Sequence, residues 1–129
     1  MLRLVALLGA LLIAPAARAE DTVDWSKAET ISLMLVDDRF VPDHLTLQHG
    51  QPYLIHMENH GANLHQFTAA EFFADAILRD PGLLQNGKDV LVLSQWAVDL
   101  FVVATKPGRY PLICADHDWD GMVGEIVVE

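Results

Sequence analysis

The sequence has a single cysteine, and its 8 Lys and Arg residues are far outnumbered by 18 Asp and Glu residues. One cysteine excludes an internal disulfide, and it also excludes c-type haem attachment, which needs a C-x-x-C-H motif. The formal net charge of −10 does not favour nucleic acid as a partner, because binding to the phosphate backbone requires many cationic side chains. An acidic chain of this kind favours cationic partners. The sequence also lacks a glycine-rich phosphate-binding motif.

The N-terminal apolar run is too short for a transmembrane helix. It covers residues 4–14, which is about half of the ~20 residues needed to span a bilayer. Arg3 precedes it, and an Ala-Arg-Ala sequence that ends at Ala19 fits a signal-peptidase site. We therefore predict that residues 1–19 are a signal peptide, cleaved after Ala19 on export to the periplasm. Residues 20–129 would form one domain with no stable membrane insertion.

Short segments with alternating apolar residues predict an all-β fold. Tyr53, Ile55 and Met57 fall on one face of such a segment, and His56 and Glu58 fall on the other. Seven strands at this spacing predict a sandwich or barrel and not a βαβ sheet. The predicted strands cover residues 29–36, 45–48, 53–58, 89–93, 98–105, 109–114 and 122–129.

One short helix is predicted between Thr68 and Gly87. Thr68 and Glu71 have the spacing of a capping box, in which both side chains satisfy free amides at the helix start. Asp80-Pro81-Gly82 would end the helix. The residues that would share one buried helical face are Phe72, Phe73, Ala76 and Ile77.

The residues with the clearest chemistry lie between the last two predicted strands. Cys114, His117 and Met122 offer a thiolate, an imidazole and a thioether at C-x2-H-x4-M spacing. Cys114 is in phase with Leu112 on the preceding strand and is therefore expected to face inward. A lone cysteine is ordinarily an inert core residue, but this spacing favours a metal ligand.

A second imidazole would complete the set, and His65 is preferred over His60 for this role. Two histidines, one cysteine and a weak axial methionine form the site of a blue copper centre. Structural zinc fits less well, because methionine is a poor zinc ligand. The remaining histidines, namely His44, His49 and His56, are interpreted as solvated residues of loops or of an outer sheet face.

Over roughly residues 29–129 the sequence resembles the cupredoxin family, in the style of plastocyanin and pseudoazurin. The resemblance implies a cupredoxin-like Greek-key β-sandwich or barrel of about seven to eight strands with one short helical insertion. It also implies one copper ion held by four ligands, His65, Cys114, His117 and Met122. The segments that carry the resemblance are Phe40-Val41-Pro42, Leu45 to Gly50, Glu58-Asn59 through His65, Pro107 through Cys114, Gly121-Met122 and Gly124 to Val128.

Three features depart from the pattern of such proteins. Asp116 stands where proline is frequent, and Gln66 stands where asparagine is frequent. Asp116, Asp118 and Asp120 also make an acidic edge of a loop that is commonly apolar. The four ligands are unaffected, so these departures concern the redox tuning and the surface that meets a partner.

The leading functional prediction is a one-electron carrier that cycles between Cu(I) and Cu(II) and transforms no substrate. By resemblance, His117 is the ligand nearer solvent and the route for electrons. We expect a monomer whose redox partner is a cationic protein such as a basic c-type cytochrome. The alternative is a periplasmic copper carrier or tolerance protein, although the mature chain has only Met34, Met57 and Met122 and thus no methionine-rich relay. A cupredoxin fold that serves as a structural module without copper is the third interpretation.

Overall fold

The structure is a computed structural model that describes residues 14–15 and 22–129. The predicted signal peptide lies outside the described residues apart from Ala14 and Pro15, so its cleavage stays a prediction. Within the described part of the chain, no helix is long and apolar enough to cross a membrane.

The described residues form eleven strands and one α-helix, arranged as two sheets. In chain order these elements are β1 (Glu29–Val36), β2 (Arg39–Val41), β3 (His44–Leu47), β4 (Pro52–Asn59), β5 (His65–Thr68), α1 (Ala70–Asp75), β6 (Ile77–Leu78), β7 (Leu84–Gln85), β8 (Asp89–Val92), β9 (Ala97–Val103), β10 (Gly108–Ile113) and β11 (Val123–Val128). One sheet has the order β2-β1-β4-β9-β6, and the other has the order β3-β11-β10-β5-β8-β7. The predicted β-sandwich with one short helix is confirmed.

All seven predicted strands are present, and four further strands raise the number above the expected seven to eight. The additional strands are β2, β5, β6 and β7, which have only two to four residues each. Strands of two or three residues are too short for an alternation pattern to develop, so tertiary pairing alone defines β2, β6 and β7.

The core lies between the inner faces of the two sheets. On β4, Tyr53, Ile55 and Met57 are buried, as the alternation predicts, whereas His56 and Glu58 face outward. Phe67 on β5 is fully buried and stacks edge-on against Phe40 and at a tilt against Phe73. This packing anchors the start of β5 against the opposite sheet.

The predicted capping box of the helix is wrong. Thr68 ends β5, and its hydroxyl donates a hydrogen bond to Asp89 Oδ1 at 2.6 Å on the paired strand β8. Helix α1 therefore begins at Ala70, and its N-cap residue Ala69 makes no side-chain hydrogen bond. Phe72 and Phe73 are buried as predicted, but Ile77 belongs to β6, because pairing with β9 ends the helix early.

Several loops meet at one end of the sandwich. The β1–β2 turn contains Asp37 and Asp38, and the β4–β5 loop covers residues 60–64. The backbone N–H of His60 donates to the Leu35 carbonyl at 2.8 Å, which joins the β4–β5 loop to the end of β1. The β10–β11 loop holds Cys114 and lies at the same end.

Candidate metal centre

Cys114 directly follows β10 and is turned into the protein. It lies two residues after Leu112 and points to the same inner face, and both side chains are fully buried. Its backbone N–H donates to the Met122 carbonyl at 3.0 Å, which closes the base of the β10–β11 loop. The backbone N–H of Gln66 points at Cys114 Sγ from 3.3 Å. A donor in this position stabilises the negative charge of a thiolate.

Two imidazoles lie beside this sulfur. Cys114 Sγ is 3.3 Å from His117 Nδ1 and 3.9 Å from His65 Nδ1. The three donor atoms all lie within 4.8 Å of one another, and the two imidazole rings meet edge-on with centroids 4.9 Å apart. The fold thus brings together three of the four residues singled out in the sequence, although His65 and Cys114 are 49 positions apart along the chain.

Met122, the fourth predicted ligand, is fully buried at the far end of the same loop. The N–H of His117 donates to the Cys114 carbonyl at 3.0 Å, and the N–H of Met122 donates to the His117 carbonyl at 3.2 Å. Gly121 precedes Met122 with φ of +87°, a left-handed conformation that glycine adopts without strain. These bonds tie Met122 to the loop, and its role as the axial ligand stays a prediction.

His60 lies outside this group. Its side chain is half exposed, and Nε2 donates to Glu58 Oε2 at 2.7 Å on the outer face of the sheet. Of the two alternatives weighed for the second imidazole, the fold places His65 next to the sulfur. The other histidines with outward positions, His44, His49 and His56, are also away from the centre and bond to neighbouring carboxylate or carbonyl oxygens.

Asp37 orients His65, and the sequence analysis missed this role. His65 Nε2–H donates to Asp37 Oδ1 at 3.2 Å, which leaves Nδ1 free to face the sulfur. His65 is fully buried, whereas the side chain of Asp37 is 50% exposed. No local pattern links Asp37 to His65, because the two residues are 28 positions apart and meet through the packing of β1 against β4.

Asn59 and Gly61 hold the loop that leads to His65. The Asn59 amide donates to the carbonyls of Asn63 and Val92, both at 2.8 Å, and its oxygen accepts the Gly61 N–H at 2.8 Å. A Cβ on Gly61 would lie 2.8 Å from His65 Nε2 and would also collide with Asp37 Oδ1. Only glycine therefore leaves room for the bond between Asp37 and His65.

Gln66, noted above as a departure, links the two loops that carry the donors. Its side-chain oxygen accepts the backbone N–H of Asp116 at 3.1 Å, while its own backbone N–H points at the sulfur. A longer side chain at this position thus spans the distance to a loop that has Asp116 in place of proline. A proline at position 116 would have no N–H to donate, so this bond depends on Asp116.

The solvent side of the centre is acidic. His117 is half-buried and is flanked by Asp116, Asp118 and Asp120, which are all exposed. The pKa of Asp120 is raised, first by desolvation and then by the nearby carboxylate of Asp38, with His117 acting in the opposite direction. Trp119 in the same loop is 78% exposed, and its Nε1–H donates to the Asp116 carbonyl at 3.0 Å.

The family profile described as "Cupredoxin-like domain" matches residues 3–128 of this chain. The chain belongs to the cupredoxin family. Cupredoxins of this kind bind one copper ion, and His65, Cys114 and His117 lie close together as in a type 1 copper site. The donor chemistry fits that metal, since a buried sulfur suits Cu(I) and imidazole suits both oxidation states.

Solved structures of cupredoxins share the fold. A dithionite-reduced auracyanin from the photosynthetic bacterium Roseiflexus castenholzii is 16% identical, with a TM-score of 0.59, and the match covers 79% of this chain and 98% of that one. Auracyanin B is 15% identical with a TM-score of 0.58, and 78% of this chain and 88% of that chain are covered.

A reduced amicyanin carrying a tryptophan-to-tyrosine substitution is 19% identical with a TM-score of 0.50. That match covers 86% of this chain and 90% of the amicyanin. No curated protein matches the sequence significantly. At these identities the likeness to the solved structures is one of fold.

Proposed function

We propose that this cupredoxin is a one-electron carrier whose single copper ion is held by His65, Cys114, His117 and Met122. The observation that supports this role is the clustering of one buried sulfur and two imidazole nitrogens within 4.8 Å. When bound there, copper supplies a Cu(I)/Cu(II) couple. The role transforms no substrate.

The donors are held by hydrogen bonds from the surrounding protein. The backbone N–H of Gln66 points at the sulfur, and Asp37 orients His65. Backbone hydrogen bonds within the β10–β11 loop hold His117. A site whose ligands are held in this way changes little when the charge of the ion changes. Small rearrangement is the property that an electron carrier needs.

Electrons would pass through His117, because it is the ligand that reaches the surface. His65, Cys114 and Met122 are fully buried, whereas His117 is half-buried. Asp116, Asp118 and Asp120 surround this exit, and their field would attract a cationic partner such as a basic c-type cytochrome. The attraction would weaken with salt, which screens charges over ~8 to 10 Å.

Two of the similar structures, an auracyanin and an amicyanin, were solved in the reduced state. This supports a redox role for the present chain. We further propose that the protein acts as a monomer in the periplasm, as residues 20–129 after removal of the signal peptide. Mass spectrometry of the exported protein should give the mass of a chain that begins at Glu20. The mass of a chain that still contains Met1 would contradict export by this route.

Copper loading tests the proposed function directly. The copper-loaded protein should show an intense visible thiolate-to-copper band and a reversible midpoint potential. The Cys114→Ser variant should lose the band entirely, because the chain has no other cysteine. A colourless copper-loaded wild type would rule out the electron-carrier role.

Metal retention separates this role from that of a copper carrier or tolerance protein. An electron carrier must keep its ion in both oxidation states, whereas a copper carrier must release it. A moderate Cu(I) chelator should therefore leave the reduced protein loaded over many minutes. Rapid loss from the reduced protein, with retention by the oxidised one, would favour the copper carrier.

The acidic exit can be tested with small redox reagents. Replacement of Asp116, Asp118 and Asp120 by Asn should slow reduction by a cationic reagent at low salt and speed reduction by an anionic one. Both differences should shrink at high salt, because the effect is electrostatic. Unchanged rates with both reagents would show that the acidic loop does not select the partner.

A further inference from the structure

The outer face of β4 carries a second group of metal-ligating side chains. His56 and Glu58 face outward because they alternate with the buried Ile55 and Met57, and His60 follows directly after the strand. The sequence here is H-x-E-x-H, so one carboxylate stands between two imidazoles. None of these residues belongs to the copper centre described above.

Glu58 hydrogen-bonds both imidazoles, one through each of its carboxylate oxygens. His56 Nε2 is 3.0 Å from Glu58 Oε1, and His60 Nε2 is 2.7 Å from Glu58 Oε2. Two donors that each lie about 2.0–2.1 Å from one ion are roughly 3 Å apart. The donor atoms of these three residues do not all lie within 4.8 Å of one another, as those of His65, Cys114 and His117 do, so the side chains must turn toward the ion when it binds. Their exposed fractions of 34%, 49% and 50% leave them room to do so.

Asp99 orients the first of these imidazoles. It lies opposite His56 on the paired strand β9, and its carboxylate accepts the His56 Nδ1–H at 2.6 Å. This bond leaves Nε2 as the nitrogen that faces Glu58. A carboxylate bonded to the far nitrogen of a histidine is the usual support for a metal-binding imidazole.

The charges around this group favour a cation. The charged groups that shift the pKa of His56 upward are Asp99 and then Glu58, and both are anions. His44 offers a contrast, since it also has carboxylates on either side, Asp43 at 2.9 Å and Glu125 at 3.3 Å. There, however, the guanidinium of Arg109 pairs with Glu125 and opposes the positive charge.

We propose that His56, Glu58 and His60 form a second, exposed metal site that binds a divalent first-row ion, with Cu²⁺ bound more tightly than Zn²⁺. Imidazole and carboxylate donors without a thiolate follow the usual affinity order, in which Cu²⁺ stands highest. The ion takes the place of the protons on the two Nε2 atoms. His56 releases one proton to solvent and keeps Nδ1–H bonded to Asp99, whereas His60 binds as a neutral imidazole with its proton on Nδ1. Asp99 is a positioning residue.

Copper titration of the untagged mature protein tests this site. After one equivalent has filled the thiolate centre, a second equivalent of Cu²⁺ should bind, as measured by calorimetry. Its paramagnetic resonance spectrum should be that of ordinary tetragonal copper with imidazole nitrogen couplings, and the visible thiolate band should not grow. The double variant His56→Gln/His60→Gln should weaken this second binding by about 100-fold.

His44→Gln is the matched control, because it removes an imidazole that also stands between two carboxylates. It should leave the second equivalent unchanged. A wild type that binds a single Cu²⁺, or a double variant that keeps the second one, would overturn the proposal. The thiolate band reports the first centre separately, so failure of the outer site cannot be confused with failure of the electron-carrier role.

Discussion

Two histidine groups lie on opposite sides of the same part of the sandwich, and they differ in almost every physical respect. In the inner group, His65 and His117 face the buried sulfur of Cys114. In the outer group, His56 and His60 are paired with the carboxylate of Glu58 in water. Burial and a sulfur donor fit the inner group to copper, whereas exposure and an oxygen donor distinguish the divalent-ion site that we propose for the outer group.

The comparison also shows how position along a strand decides chemistry. Residues 56 and 58 alternate outward from β4, whereas His65 begins β5 and turns inward. The five-residue separation between His60 and His65 contains the loop in which the chain crosses from one sheet to the other. Histidines that are near neighbours in sequence therefore belong to different sites.

Replacing one histidine of each group by alanine should give the largest difference between the two groups. His65→Ala should remove nearly all of the visible thiolate-to-copper band, because one of the two proposed imidazole ligands is lost. His60→Ala should leave the band largely unchanged, since its imidazole bonds Glu58 outside the centre. Absorption spectra of the two copper-loaded variants make the measurement, and the reverse result would mean that the ligand is His60.

The second largest effect is expected from Gly61→Ala, which should destabilise the protein beside the inner group. The new methyl would crowd His65 Nε2 and Asp37 Oδ1, so we expect a loss of about 1–3 kcal/mol in the free energy of unfolding. Denaturant unfolding of the metal-free variant measures this loss. Gly82→Ala is the control, because a Cβ there meets nothing within 4 Å, and equal losses in both variants would contradict the crowding argument.

Asp37→Asn should raise the midpoint potential of the copper-loaded protein. The substitution keeps an oxygen acceptor for His65 Nε2–H but removes a negative charge that favours the more positive oxidised site. A tenfold change in relative affinity for the two oxidation states corresponds to about 60 mV for one electron. Voltammetry is the measurement.

Asp38→Asn is the control for that change. It removes the same charge from the same turn, but Asp38 faces Asp120 and not His65. Its φ of +67° is a conformation that asparagine tolerates. The shift should therefore be clearly smaller, and equal shifts would mean that charge at a distance, and not the bond to His65, sets the potential.

The smallest expected effect is a pH-dependent change in the stability of the metal-free protein when His56 of the outer group is replaced. The folded protein raises the pKa of His56, chiefly through the hydrogen bond to Asp99 and then that to Glu58, with neutral Ser32 opposite on β1. A raised pKa stabilises the fold fully below the ordinary value of about 6.5, and the contribution disappears as pH rises through the higher folded value.

His56→Gln should consequently lower Tm by about 2 to 4 °C at pH 5.5 and by less at pH 9, with a chelator present. Thermal unfolding followed by circular dichroism measures this difference. An equal loss at both values of pH would show that His56 contributes through packing and not through its charge.

The sequence was most informative where the physical signal is local. Alternation and local richness in Val and Leu located seven of the described strands, and the inward phase of Cys114 with Leu112 was also correct. The capping box failed because the hydroxyl of Thr68 had a better acceptor in Asp89, which is remote in sequence and close only across paired strands. Asp37 and Asn59 were missed as supports of the centre for the same reason.

By itself, then, the sequence determined the donor types, the all-β class and the acidic loop, because each depends on side-chain chemistry or on the two-residue period of a strand. The tertiary structure places His65 next to the sulfur, as preferred from the sequence, and it alone decided that Asp37 orients His65. It also decided that His56 and His60 converge on Glu58. These outcomes depend on which strands pair and in what register, and pairing is a property of the whole sheet that no short stretch of sequence contains.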